Sequence, residues 1–335
     1  MTTESRTWIR QPVLVTGATG MVGSALCADL VARGATVVVL VLDDDPQSEL
    51  RRSGTWNRVH VVDGALEDRA TIERAVVVHD VSTIFHLGAQ TLVGAARRDP
   101  VGTFDSNIRG TWNILDVARR HPELVGAVVV ASSDKAYGTS RDLPYLESHR
   151  MDGVQPYEVS KSCADLIARS YAETYGVPVQ IARCGNIFGP GDLNWSRLVP
   201  GTIRSLLQGD QPVLRSDGTL VRDYLYVDDA ISGYMSLADA AAGQRGPDIA
   251  YNFSDEHPMS VLDMYAAICE AAGKPDTEPS IERQAKDEIP SQYLDSSLVR
   301  EKLGWEPAVG LRDGLRSTIE WYTELFGVEP HRFVR

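Results

Sequence analysis

Short, wholly apolar runs alternate along this chain with segments whose apolar residues recur every three or four positions. Val13–Val15 leads straight into Gly17-Ala18-Thr19-Gly20-Met21-Val22-Gly23. Val22, Leu26 and Leu30 then mark one face of a helix that Gly34 ends. Thr36–Leu42 is rich in β-branched residues and apolar from Val37 onward, as expected of a strand buried on both faces. The three segments predict a β–α–β unit with a right-handed crossover. Further strands are predicted at Val59–Val62, Thr83–Phe85, Ala127–Val130 and Val179–Ala182. Helices are predicted at Asp68–Val77, Thr103–Arg119 and Pro156–Tyr175, the last opened by proline. This order predicts an α/β fold, a doubly wound parallel sheet of the Rossmann type. Beyond about Gly185 the pattern turns irregular. We therefore expect a sheet domain over residues 1–185 and a smaller mixed α/β lobe over 186–335, with the chain crossing back between them.

Length and charge narrow the function classes. At 335 residues the chain exceeds what one core usually serves. A net charge of −13 argues against a nucleic-acid partner or an anionic membrane surface. The longest apolar stretch, Val37–Leu42, is far too short to cross a bilayer, and Met1–Gln11 is polar. A cytoplasmic protein is expected. Cys27, Cys163, Cys184 and Cys269 lie far apart without CxxC spacing. They predict neither a metal site nor a disulfide framework, and read as buried thiols.

The glycine loop carries the first chemistry. Gly17 permits a tight turn, Gly20 lets backbone approach a pyrophosphate, and Gly23 allows close packing of helix on strand. The helix N-terminus offers unpaired N–H groups to an anion. A tight strand-to-helix turn with nothing bound uses the same residues. The acidic partner of a ribose belongs near the end of the second strand, where Val41 stands in the usual place. Asp43, first of the Asp43-Asp44-Asp45 run, is the candidate for that role. A carboxylate there repels a 2′-phosphate, which favours NAD over NADP.

Tyr157 and Lys161, four apart on a predicted helix, share a face. An ammonium beside a phenol is expected to lower its pKa from about 10. The phenolate then takes a hydroxyl proton while hydride leaves the same carbon for a nicotinamide. With the glycine loop and Ser132-Ser133 ahead of the helix, this pattern resembles the extended short-chain dehydrogenase/reductases. The resemblance spans nearly the whole chain. It includes His86-Leu87-Gly88-Ala89, Asn107-Ile108-Arg109-Gly110-Thr111, Arg222-Asp223-Tyr224-Leu225-Tyr226-Val227 and Leu303-Gly304-Trp305. Those stretches are similar to nucleotide-sugar epimerases and dehydratases. The resemblance implies cofactor contacts at Gly17, Gly20, Met21, Val22, Gly23, Asp43, Leu87, Ala89, Asn107, Tyr157 and Lys161.

Ser132-Ser133-Asp134-Lys135-Ala136-Tyr137-Gly138 is more specific. Positions matching Asp134 and Lys135 are small or apolar in the 4-epimerases, but an acid–base pair in the 4,6-dehydratases. With Pro156–Ala164 and Arg183-Cys184-Gly185-Asn186, the segment looks most like CDP-glucose 4,6-dehydratases. Oxidation at carbon 4 acidifies the carbon 5 proton; a base must remove it and an acid must protonate the departing carbon 6 hydroxyl. By resemblance Lys135 is the base and Asp134 the acid, so Lys135 must be neutral and Asp134 must hold a proton. A loop ion pair is the alternative for these two residue types. Ser133 is expected to hydrogen-bond the carbon 4 oxygen beside Tyr157.

The same resemblance puts Arg222 on a substrate diphosphate and Asn186 near the sugar phosphate, with Arg197 a weaker candidate. Glu288 and Tyr293 fall in the segment resembling a nucleotide pocket. Ala65 departs from the family, which often has aspartate there against the adenine. His86 reads as a buried structural histidine, Trp305 as core, and His121 and His331 as surface residues. The partner expected is a nucleotide-diphosphate hexose, and a homodimer through paired helices is implied, with Cys163 and Ile167 facing either a partner or the sheet. Two other functions remain open on sequence: a nucleotide-sugar 4-epimerase, and a non-catalytic NAD-sensing module.

Overall fold

The computed structural model describes residues 7–243, 249–282 and 288–328. Seven parallel strands form its central sheet. They are β1 (Pro12–Thr16), β2 (Thr36–Val41), β3 (His60–Asp63), β4 (Thr83–His86), β5 (Ala127–Ala131), β6 (Val179–Cys184) and β7 (Ala250–Phe253). Their order across the sheet is β7-β6-β5-β4-β1-β2-β3. The apolar runs are continuous because alternate residues feed two cores. Val13, Val15, Val37, Val39 and Val41 join one cluster, with helices α1 (Met21–Ala32) and α5 (Val227–Gly243). Leu14, Val38 and Leu40 join the other. That second face is covered by α2 (Arg69–Val78), α3 (Gly110–Arg120) and α4 (Pro156–Tyr175).

The predicted strands and helices are present, with ends shifted by one or two residues. Two differences carry physical content. The helix predicted over Thr103–Arg119 is three pieces: Pro100–Phe104, a wide π-helical turn over Asp105–Arg109, and α3. The wide turn holds the buried Asn107, and a residue larger than Gly110 at the following position would strike Leu66, 2.8 Å from an ideal Cβ. Such bulges frequently mark functional sites. The second difference is β7, whose Tyr251 and Asn252 obscured the apolar run. It pairs in parallel with β6, Ala250 opposite Ile181. The chain thus returns to the sheet after residue 243.

Strand order reverses between β1 and β4, which neighbour each other although β2 and β3 intervene in sequence. Such a switch point opens a crevice at the carboxyl ends of the strands. Beyond that edge lie small sheets: Asn186–Phe188 with Tyr224–Tyr226, and Val221–Arg222 between Met259–Ser260 and Ser291–Gln292. Among the described residues, no helix is long and apolar enough to cross a membrane.

Candidate active site

Between β1 and α1 the glycines do three different jobs. Gly17 has φ +71°, and a Cβ on it would lie 2.7 Å from the Gly88 nitrogen. A Cβ on Gly23 would lie 2.1 Å from the Gly17 carbonyl oxygen. Gly20 is open, its ideal Cβ meeting only that carbonyl at 3.4 Å. It stands at the head of α1, which no side chain caps. The amides of Met21, Val22 and Gly23 open the helix there, so the loop is a cradle for an anion. Thr16 ties the cradle to β4: its Oγ1 contacts His86 Nδ1 at 2.9 Å and accepts from the Gly88 amide at 3.0 Å. His86 also reaches Thr111 at 3.1 Å and is wholly buried; burial and then the nearby Lys161 push its pKa down to about 3. It is a neutral structural histidine.

The ribose candidate Asp43 is exposed, two residues beyond β2. Its neighbours are occupied: Arg51 donates to Asp44 at 2.8 Å, and Asp45 accepts from the Gln47 amide at 2.8 Å. Asp63 is exposed at the end of β3, beside the half-buried Ala65. Leu87 and Ala89, both half-buried, follow β4 into the crevice. Asn107 acts differently from the expectation for a direct contact. Its Oδ1 accepts from the Gln90 amide at 2.7 Å, and its Nδ2 donates to Gln90 O at 3.0 Å and Ser160 Oγ at 2.9 Å. Its carboxamide is spent on holding the β4 loop to α4, because the π-helical turn points it inward.

The acid–base residues gather at the carboxyl end of β5. Ser133 accepts from the Lys135 amide at 3.2 Å and donates to Asp134 Oδ1 at 2.9 Å, opening a 3₁₀ turn over Asp134–Tyr137. Tyr137, at the end of that turn, donates to Asn252 Oδ1 at 2.7 Å. It accepts from Arg183 at 2.8 Å, whose guanidinium makes a bidentate pair with Asp165 at 2.7 and 2.8 Å. This buried network clamps the turn between β6, β7 and α4. Across it, α4 starts with Pro156 and a capping box between Gln155 and Glu158. The helix brings Tyr157 and Lys161 under the turn, both buried.

One electrostatic expectation is overturned. The Tyr157 phenol is not lowered but pushed up to about 12, chiefly by burial. Arg197 and a hydrogen bond with Ser133 pull it down, while Asp134 pushes it up. Lys161 donates to the Ala131 carbonyl at 2.8 Å, and burial depresses it to about 8. A buried phenol and a buried amine each favour their neutral forms, and burial is the largest influence on both.

On the substrate side, Arg222 is buried, donating to the Val221 carbonyl at 2.7 Å and facing Glu288 at 3.4 Å. Asn186 is half-buried at the start of its short strand, with Nδ2 3.5 Å from the Asp223 carbonyl. Arg197 pairs with Asp192 at 3.0 Å and is otherwise two-fifths exposed; its field still reaches Tyr157. Two residues escaped the sequence reading. Gln292 is fully buried and accepts from Lys135 Nζ at 2.9 Å. Asp223 is buried with its Oδ1 unpartnered, and burial and then Asp134 push it up to about 7. Gln292 carried no motif. Asp223 was visible beside Arg222, but nothing in the pattern showed that it is buried.

The four cysteines are free thiols; Cys27, Cys184 and Cys269 are buried as expected, while Cys163 is only half-buried. Trp305 packs edge-on against Phe253, in the core. His121 is half-buried against Glu73, and His331 lies outside the described residues.

Residues 13–252 match the model of the NAD dependent epimerase/dehydratase family. The chain belongs to that family. The proteins it resembles include both 4,6-dehydratases and 4-epimerases. A dTDP-glucose 4,6-dehydratase of Streptomyces griseus is 30% identical over 320 residues, covering 92% of this chain and 93% of that protein. The solved structure of DesIV, a dTDP-glucose 4,6-dehydratase of Streptomyces venezuelae with NAD bound, superposes with a TM-score of 0.85 at 28% identity, covering 96% and 99%. The UDP-glucose 4-epimerase of Thermotoga maritima, with UDP-glucose, also gives 0.85, at 26% identity and 94% and 100% coverage. The cofactor of this family member is NAD, and the open Gly20 and the uncapped head of α1 fit its pyrophosphate.

Proposed function

We propose that this chain is a nucleotide-diphosphate hexose 4,6-dehydratase, with CDP-glucose as its substrate. One observation carries the reading. Asp134 and Lys135 stand on the same turn as Ser133, which hydrogen-bonds both Asp134 and Tyr157. An epimerase needs only Ser133 and Tyr157; the adjoining acid and amine supply what elimination additionally requires.

When bound, NAD would supply a reversible hydride acceptor with a positively charged ring. Tyr157 takes the proton of the carbon 4 hydroxyl, and Ser133 donates to the oxygen left as a ketone. Lys135, as the free amine, takes the carbon 5 proton. The electron pair released forms the carbon 5–carbon 6 double bond. The carbon 6 hydroxyl leaves as water with the proton from Asp134. With the hydride that bound NAD would give back at carbon 6 and a proton returned to carbon 5, the product is the 4-keto-6-deoxy sugar, with no net change in NAD. Arg222 is proposed to hold the diphosphate, with Asn186 and Arg197 at its edges, and Asp43 to bond the ribose of NAD.

The S. griseus relative supports 4,6-dehydration, while the choice of CDP rests on the Ser132–Gly138 segment. The test is mass spectrometry of products from CDP-, dTDP-, GDP- and UDP-hexoses. Loss of one water without net reduction of NAD is expected, with the CDP-hexose turned over best. No such loss from any of the four would reject the assignment. The 4-epimerase reading is favoured by the T. maritima neighbour, and an unchanged mass with inverted carbon 4 would select it.

A cytoplasmic homodimer is proposed for the assembly. Trp112 on α3 and Leu166 on α4 are apolar and exposed, beside the half-buried Cys163 and Ile167. Sedimentation of a monomer at micromolar concentration would remove that proposal.

A further inference from the structure

We infer that Gln292 is a positioning residue for the base, holding Lys135 in line with the carbon it deprotonates; this rests on the dehydratase reading above. An amine acts as a base along one direction only, that of its lone pair. A lysine side chain ends in freely rotating bonds, so something must select that direction. Gln292 is fully buried and its Oε1 accepts from Lys135 Nζ at 2.9 Å. An amine that has lost one proton keeps two N–H bonds. With one of them given to Gln292, the lone pair is confined to the remaining directions. The acceptor is neutral, so it orients the amine without binding the ammonium as tightly as a carboxylate would.

Gln292 is held by backbone on both sides. Its short strand pairs in parallel with Val221–Arg222, Gln292 lying opposite Arg222 and Ser291 opposite Val221. One residue on, the Tyr293 carbonyl accepts from the Tyr145 amide at 2.9 Å. The Leu294 amide then donates to Asp223 Oδ2 at 3.1 Å. Strand register therefore fixes the acceptor of Lys135 and the diphosphate-facing Arg222 as neighbours. The Gln292 Nε2 is buried and has no hydrogen-bond partner. A buried carboxamide with half its capacity unused is costly, and methionine of similar volume would fill the space as well.

The test compares Gln292→Met, Lys135→Met and the double variant with the parent enzyme on its hexose substrate. Four quantities are read: kcat and KM for water loss, ultraviolet absorbance of reduced nicotinamide during turnover, and solvent deuterium at carbon 5. Gln292→Met is expected to lower kcat ~10- to 100-fold, the scale of a slightly misplaced catalytic group, with KM held within about twofold. Reduced nicotinamide accumulates, since oxidation at carbon 4 continues while the proton step lags, and deuterium entry at carbon 5 slows in step. In the Lys135→Met background the same change does nothing further. A raised KM with kcat intact, or full additivity of the two variants, overturns the inference. Should Gln292→Met fail to fold, Gln292→Asn keeps the carboxamide but draws its oxygen back by about 1.5 Å, and the same signature is required of it. Lys135→Met that still loses water at the parent rate defeats the dehydratase reading itself, a result separate from those of Gln292.

Discussion

Lys161 donates its ammonium to the carbonyl of Ala131 at 2.8 Å, tying the middle of α4 to the last residue of β5. α4 and the strand that delivers Ser133 are thereby locked together under the turn that carries Asp134 and Lys135. Tyr157, one helical turn earlier, is left buried and pushed up to about 12. Burial thus favours the neutral phenol, and the proposed role of Tyr157 as proton acceptor requires that bound NAD offset that burial.

Under the proposed mechanism Tyr157→Phe removes the proton acceptor at carbon 4, along with the phenol's hydrogen bond with Ser133. A fall in kcat of ~10²- to 10⁴-fold is expected, the usual contribution of a positioned acid–base group. NAD affinity, measured by fluorescence titration, should stay within a few-fold. Loss of NAD binding on the same scale as kcat would show the residue to be structural.

Gly23→Ala tests the cradle. A Cβ there would sit 2.1 Å from the Gly17 carbonyl oxygen, a backbone atom that cannot swing away. The loop or the helix must shift, so NAD affinity should fall at least tenfold and the melting temperature should drop. Gly20→Ala, with only a 3.4 Å approach to the same carbonyl, should cost little stability. Equal melting losses in the two variants would contradict this geometry.

Asp165→Ala leaves the Arg183 guanidinium buried without its bidentate partner. Breaking a buried pair by removing one partner costs about 3–5 kcal/mol. Chemical denaturation should show that loss. Because Arg183 also holds the Tyr137 hydroxyl, kcat should fall as well, although Asp165 touches no substrate. Stability unchanged within about 0.5 kcal/mol would remove the pair from any architectural role.

Asp223 sets a pH dependence whose sign is fixed by its shift. Its folded pKa is about 7 against an ordinary 3.8, so the folded state holds a proton that the unfolded chain has lost. Between those values stability falls as pH rises, and above about 7 the full cost of the buried carboxylate, of order 4 kcal/mol, is present. Asp223→Asn keeps an acceptor for Ser254 and Leu294 and cannot ionise. Its stability advantage over the parent should grow from pH 4 to pH 7 in urea titrations. A constant difference across that range would reject the shift.

Much of this protein was legible along the chain, and the reason is local. Gly17, Gly20 and Gly23 between a strand and a helix state their own geometry, because Gly17 and Gly23 stand where a Cβ would strike backbone. The strands β1, β2 and β5 announce themselves as largely apolar runs, since burial on both faces leaves little place for polar residues; β6 shows through Val179, Ile181 and Ala182 although Gln180 and Arg183 are buried there too. Tyr157 and Lys161 are one helical turn apart, so their shared face follows from spacing alone. What lay beyond the sequence was long-range. Gln292 reaches Lys135 from 157 residues away, and Arg183 reaches Tyr137 from 46. Neither pairing leaves a periodic trace. The wide turn at Asp105–Arg109 and the inward use of Asn107 likewise depend on what packs against them. The direction of the Tyr157 shift also had to come from the fold. Spacing brings a lysine near a phenol, but how much water the surrounding sheet, turn and helices exclude decides whether attraction or burial prevails.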